Sequence, residues 1–286
     1  GPVRTGGAVS TVAASQRHSH FLREDGVLVS TGGGFYGTLG NGAFSSIGYS
    51  SHPFPGGVAE TGSSPVLQVQ AGDRYAVVLL ADRTVRAFGK GANGRLGYGS
   101  TSDYGWDTGT SPVNAGPVPV GGPAVAVTAG TAHSGVVLQD GGVVLCGDNS
   151  RGQLGLGSQV ESSCTALATT GAASRAAVCP WDSIVAATLG DQHSLFLTRD
   201  GGVFVAGRGD SGQLGLGNAA DGGRSPTTTP CRLGRVVLGG RAVSLFAGVD
   251  FSGAVLEDGS VRAWGSSLSG RLSRRSLGSV GSSMDS

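Results

Sequence analysis

The feature that most constrains this chain is internal repetition at a period near 58 residues. A turn Asp falls at 25, 82, 140, 200 and 258, in steps of 57, 58, 60 and 58. One frame surrounds each of them. The third copy shows it in full: Ala129-Gly130-Thr131-Ala132-His133-Ser134, then Asp140-Gly141-Gly142-Val143, then Gly152-Gln153-Leu154-Gly155-Leu156-Gly157. The fourth has Gly190-Asp191-Gln192-His193-Ser194, Asp200-Gly201 and Gly212-Gln213-Leu214-Gly215-Leu216-Gly217. The second has Gly72-Asp73-Arg74-Tyr75, Asp82 and Gly94-Arg95-Leu96-Gly97-Tyr98-Gly99. The first keeps His18, Asp25-Gly26 and Thr38-Leu39-Gly40, and the last keeps Gly248-Val249-Asp250-Phe251-Ser252, Asp258-Gly259 and Trp264-Gly265. Five such units cover nearly the whole chain. Glycine makes up 54 of 286 residues, a level that suits disorder when aperiodic. Here the glycines keep a period, which argues for a folded array.

Each unit predicts its own local structure. Val136-Val137-Leu138 and Val143-Val144-Leu145 flank Asp140-Gly141-Gly142, the pattern of a β-hairpin whose Asp bonds back to the backbone and whose Gly takes positive φ. The Leu-Gly alternation of Gly-Gln-Leu-Gly-Leu-Gly reads as a short strand packed where one side admits only hydrogen. The spacers Ser64–Leu67, Gly116–Val120 and Cys179–Trp181 read as proline-bearing outer strands. Ala166–Val178 is the one stretch with helix-like composition. An all-β chain repeating in this way predicts a β-propeller of about five four-stranded blades. The expected organisation is a segment 1–11, a propeller over 12–272 and a flexible tail over 273–286.

The frame Ala-Gly-x-x-His-Ser, Asp-Gly-x-Val and Gly-x-x-x-x-Gly-Gln-Leu-Gly-x-Gly closely resembles the regulator of chromosome condensation repeat. Tyr75 and Phe251 stand where the other units have His, and Leu272-Ser273 replaces the expected Leu-Gly of the last unit. The resemblance spans residues 12 to 272 and implies a β-propeller. Because the family usually has seven blades, five units imply an open arc; closure by an N-terminal strand pairing with the last unit is the alternative. The start, GPVRTGGAVS, lacks an initiator Met and a signal pattern, and reads as a cut or processed end of a longer protein.

Several motifs imitate chemistry. Gly207–Gly212 and Gly89–Gly94 satisfy a dinucleotide fingerprint, but each precedes Leu-Gly-Leu-Gly or Leu-Gly-Tyr-Gly, which cannot sustain the helix that binds pyrophosphate. Gly209-Asp210-Ser211-Gly212 mimics a serine-protease segment, yet Ser211 aligns with Asn93 as one variant of a repeated loop. His18, His133 and His193 share a slot with Tyr75 and Phe251, which points to packing rather than base, metal or pH-switch chemistry. Gly94, Gly97, Gly152, Gly155, Gly212 and Gly215 are read as structural. No catalytic residue, metal site or cofactor is expected.

Lys and Arg total 20 against 19 acids, so no broad positive surface marks a nucleic-acid binder. No run is long and apolar enough for a membrane helix. Cys146, Cys164, Cys179 and Cys231 show no scaffold spacing. Cys146 reads as a buried small hydrophobe, a Cys164–Cys179 disulfide is one option, and a reducing cytoplasmic or nuclear compartment is the default.

The functional expectation is a non-catalytic propeller presenting variable loops to a protein partner. The resemblance implies a sharper alternative, a guanine-nucleotide exchange factor for a Ran-type small GTPase. It also brings in relatives that steer enzymes, including ubiquitin-pathway proteins. The longest spacer, Ser158–Ala186 with Glu161 and Asp182, is the candidate exchange wedge, and Thr165–Ala176 within it is expected to lie outside the blade strands. The pairs before the His slot vary between units and are often charged: Gln16-Arg17, Asp73-Arg74, Thr131-Ala132, Asp191-Gln192 and Val249-Asp250. Gln16, Arg17, Asp73, Arg74, Asp191, Gln192 and Asp250 are the candidate partner-binding residues, expected on one face.

Overall fold

The computed structural model describes residues 5–48, 57–159, 183–268, 272 and 279–280. The repeat frame becomes five antiparallel sheets in chain order. Each has an inner strand: β1 (Val9–Ala14), β5 (Val66–Gly72), β8 (Ala124–Ala129), β11 (Ile184–Leu189) or β14 (Ala242–Ala247). A second strand follows: β2 (His18–Arg23), β6 (Tyr75–Leu80), β9 (His133–Leu138), β12 (His193–Thr198) or β15 (Phe251–Leu256). The third is β3 (Leu28–Gly32), β7 (Val85–Gly89), β10 (Val143–Gly147), β13 (Val203–Gly207) or β16 (Val261–Ser266). Short fourth strands complete the first and last sheets, β4 (Gly57–Val58) and β17 (Ser279–Val280). In the second and fourth sheets the outer edge is carried by single bridges, Gly89 with Tyr104 and Gly207 with Gly222.

The hydrophobic core lies between blades. One cluster joins Leu22 and Leu28 to Val66, Val78 and Phe88, and another joins Tyr75 and Val85 to Val127 and Val144. The same alternation continues through Leu145 with Phe196 and Leu195 with Trp264. A lone repeat would leave half of such a layer in water, so the blades stabilise one another as neighbours. The two outermost blades have such a neighbour on one side only. All of β1 but Ala13 is exposed, and the first and last sheets share no hydrogen-bonded strand pair among the described residues. Among the described residues the blades form an open arc.

The Asp turns form as their chemistry dictates. The carboxylate of Asp25, Asp82, Asp140, Asp200 and Asp258 each accepts the backbone N–H two residues on, at 2.8–3.4 Å. Every inner strand also carries a register shift at its second residue. Such bulges sharpen strand twist, and no composition signal marked them.

Several expectations need correction. Gly152–Gly157 is a chain of turns rather than a strand, because Gly152, Gly155 and Gly157 have φ of 80°, 65° and 72°, outside the extended region. Val66-Leu67 opens the inner strand of the next blade, not an outer strand. The first blade begins at Val9, inside the expected N-terminal segment, and β17 lies inside the expected tail, paired with Gly265 and Ser266. Two helical turns, Pro112–Ala115 and Pro230–Leu233, were not anticipated. Cys146 is buried as expected, but Cys146 and Cys231 are both disulfide-bonded. The spacing of these cysteines along the chain does not reveal their connectivity. The candidate wedge between 160 and 182, with Glu161, Cys164, Cys179, Cys179–Trp181, Asp182, Thr165–Ala176 and the Ala166–Val178 stretch, lies outside the described residues.

Candidate functional site

The strand register decides which loops share a face. Each slot residue pairs with the glycine at the end of the third strand, or in the last blade one residue before it: His18 with Gly32, Tyr75 with Gly89, His133 with Gly147, His193 with Gly207 and Phe251 with Gly265. The turn before the slot and the loop after that glycine therefore emerge at one edge, and the Asp turns emerge at the other. The variable pairs join the inner strand to the second strand of each blade.

All five of these turns converge on one cavity of about 250 Å³, whose rim includes Gln16, Asp73, Thr131, Asp191 and Val249. Gln16, Arg17 and Thr131 are exposed; Asp73, Arg74, Asp191, Gln192 and Asp250 are half-buried. Three of the charges are partly engaged. Asp250 lies 3.4 Å from Arg208, which also holds Asp210 at 2.7 Å. Arg74 lies 3.9 Å from Asp73.

Beneath the rim, the slot residues clasp one blade to the next. His133 Nε2 lies 3.0 Å from Ser194 Oγ, which donates to Gln153 O at 2.7 Å. His193, Ser252 and Gln213 O repeat this at 2.8 and 2.8 Å. Tyr75 reaches further: its hydroxyl lies 2.9 Å from Gly130 O and 2.6 Å from His133 O and shares its one hydrogen between them. Ser134 donates to Arg95 O at 2.6 Å. A serine hydroxyl has one hydrogen; spent on the carbonyl, it can only accept from the imidazole, so the proton of His133 and His193 sits on Nε2. Burial pushes His133 down to about 3 and His193 to about 4, so both rings are neutral at physiological pH.

The motif glycines follow from this packing. A Cβ on Gly130 would sit 2.5 Å from Gly190 O and 2.8 Å from His133 Cε1. One on Gly215, at φ +67°, would lie 2.8 Å from Trp264 Nε1 of the next blade. Gly94, Gly97, Gly152, Gly155 and Gly212 likewise have positive φ.

The imitation motifs lack their chemistry. Gly89 ends a strand, and a 3-10 turn at Ala92–Gly94 follows in place of a long helix. Ser211 Oγ meets Asp210 at 3.3 Å, while His193 is committed to Ser252. Among the described residues no three His, Cys, Asp or Glu side chains cluster as a metal site. None of the described helices is long and apolar enough to cross a membrane.

Sequence reasoning missed two groups. The serines after the slot, visible in the His-Ser dipeptide, are the inter-blade clasps. Between the first two blades, Arg17, Gly33, Phe35, Tyr36, Thr38 and Arg74 line a second cavity of about 180 Å³, where the first unit's Phe35-Tyr36 departs from the frame.

Comparison with known proteins agrees with this architecture. The regulator of chromosome condensation (RCC1) repeat matches residues 184–213 and 200–255. The chain is 32% identical over 212 residues to the human probable E3 ubiquitin-protein ligase HERC6, covering 72% of this chain and 19% of that protein. Human WBSCR16 superposes with TM-score 0.68 at 19% identity, over 95% of this chain and 65% of that one. Prp20p from Saccharomyces cerevisiae gives 0.60 at 18%, over 96% and 75%. Repeat frame, blade topology and these matches together place the chain in the regulator of chromosome condensation repeat family of β-propellers.

Proposed function

We propose that this arc is a non-catalytic protein-interaction module that receives its partner on the face carrying the slot turns. The observation that carries the reading is the convergence of five variable turns around one cavity, above slot residues held in a repeated frame. A constant frame positions the loops, and the loops select the partner. A photo-crosslinking residue placed at Thr131, on this face, or at Gln139, beside the opposite Asp turn, tests it in extract of the native source. Adducts from Thr131 alone support the reading; adducts from Gln139 alone overturn it.

The finer reading is exchange activity on a Ran-type small GTPase. It is supported by the resemblance and by the fold shared with Prp20p, whose structure was reported with its binding properties to Gsp1p and histones. Release of labelled GDP from such a GTPase, with and without micromolar protein, decides it: no acceleration removes the reading. A ubiquitin-pathway partner is a further option raised by HERC6, of which this chain matches a small part.

A further inference from the structure

The cleft between the first two blades is built unlike its counterparts. Tyr36 takes the loop position that Asn93, Arg151 and Ser211 hold in later units, and it does so at φ +64°. Arg74, on the neighbouring turn, has φ +61°. Left-handed backbone at a bulky residue is unfavourable. Here it accompanies a ring that sits 5.5 Å from the Arg74 guanidinium and 5.6 Å from the Lys90 ammonium. Two cations thus share one aromatic ring. Arg17 lines the same cavity. Among the described residues, Arg17 and Lys90 make no ion pair, and Arg74 has only Asp73 at 3.9 Å. Beside the cations lies an apolar shelf: Phe35 and Phe44, 59% and 55% exposed, pack edge to face at 5.6 Å. Exposed aromatic rings next to arginines are the usual composition of an interaction hot spot.

We propose that this cleft binds an acidic side chain on an extended segment of a protein partner, its carboxylate among Arg17, Arg74 and Lys90 and an adjoining apolar residue on Phe35 and Phe44. The inference rests on the turn face being the partner surface, and adds the chemistry of what docks at one end of it. Charge complementarity selects a carboxylate of a protein over a nucleic acid. Across the same face lie Asp191, Asp210 and Asp250, with Arg208 as the cation that two of them share. A continuous polyanion laid over the rim would meet that acidic end. A segment with a local acidic residue would not.

The test is fluorescence anisotropy with three labelled probes: a short peptide alternating Glu, Leu and Gly, the same peptide with Lys for Glu, and an oligo-dT of similar length. The Glu-Leu peptide should bind saturably and lose affinity as salt rises; the Lys peptide should not bind. Arg74→Ala and Phe35→Ser should each weaken binding about tenfold. Tyr36→Asn installs the residue that the second blade carries at the same φ, so it keeps the fold, shown by an unchanged melting temperature, and it should also weaken binding. Equal affinity across the variants, absence of saturable binding to the Glu-Leu peptide, or equal binding of oligo-dT would each overturn the proposal. If the Thr131 adducts form while the peptide does not bind, the turn face remains the partner surface and this cleft is not its acidic-residue site.

Discussion

Replacing Ser194 with Ala probes what holds one blade to the next. The residue is fully buried, and its hydroxyl stands between His133 Nε2 at 3.0 Å and Gln153 O at 2.7 Å. Alanine leaves a buried N–H and a buried C=O without partners. Each such orphan costs about 1–3 kcal/mol, so the substitution should destabilise by about 2–6 kcal/mol. For a chain of this size that corresponds to a fall in melting temperature of roughly 4–24 °C. The assay is thermal unfolding by calorimetry, run as a double-mutant cycle with His133→Phe. A six-membered ring fits a buried inter-blade slot, as Tyr75 shows, and phenylalanine removes the imidazole donor. In that background Ser194→Ala should cost about half as much, because only the carbonyl is newly orphaned. A cost under about 0.5 kcal/mol, or the same cost in both backgrounds, would refute the clasp.

The second blade supplies the reverse experiment. Ala76 stands where the later units have Ser, and His18 Nε2 is buried without a hydrogen-bond partner; Ala76→Ser should raise stability by about 0.5–1 kcal/mol, read from the urea midpoint. The buried imidazoles also set a pH dependence. Burial holds His133 and His193 below their unfolded value, at about 3 and about 4. Their stabilisation is therefore complete above the unfolded value of about 6.5 and is lost as pH falls toward those lower values. Two such groups give a slope of about 2.7 kcal/mol per pH unit between about pH 6 and 4.5. His18 and His20 are lowered in the same direction, also by burial, and should steepen it; a flat urea midpoint from pH 7 to 5 would contradict this. Finally, alkylation of the native protein should leave Cys146 and Cys231 unlabelled until a reductant is added, and reduction should lower the melting temperature; labelling before reduction would show free thiols.

What the chain determined locally was the repeat. Period, Asp-Gly turns and slot residues follow from interactions within a few residues of one another, such as the Asp25 or Asp140 carboxylate reaching the backbone two positions on. Those interactions form in any copy of the frame, so five sheets and the imitation status of the Gly-x-Gly-x-x-Gly and Gly-Asp-Ser-Gly segments were legible in one dimension. Only the tertiary structure decided which residues meet across blades. The partners of Ser194 lie 41 and 61 residues away, and the bonds of Cys146 and Cys231 carry no trace in their spacing. Register decided the common face, because pairing His193 with Gly207 fixes which loops emerge together. The cationic cleft was likewise invisible, since Tyr36, Arg74 and Lys90 belong to two repeats and acquire a joint meaning only when one blade packs against the next.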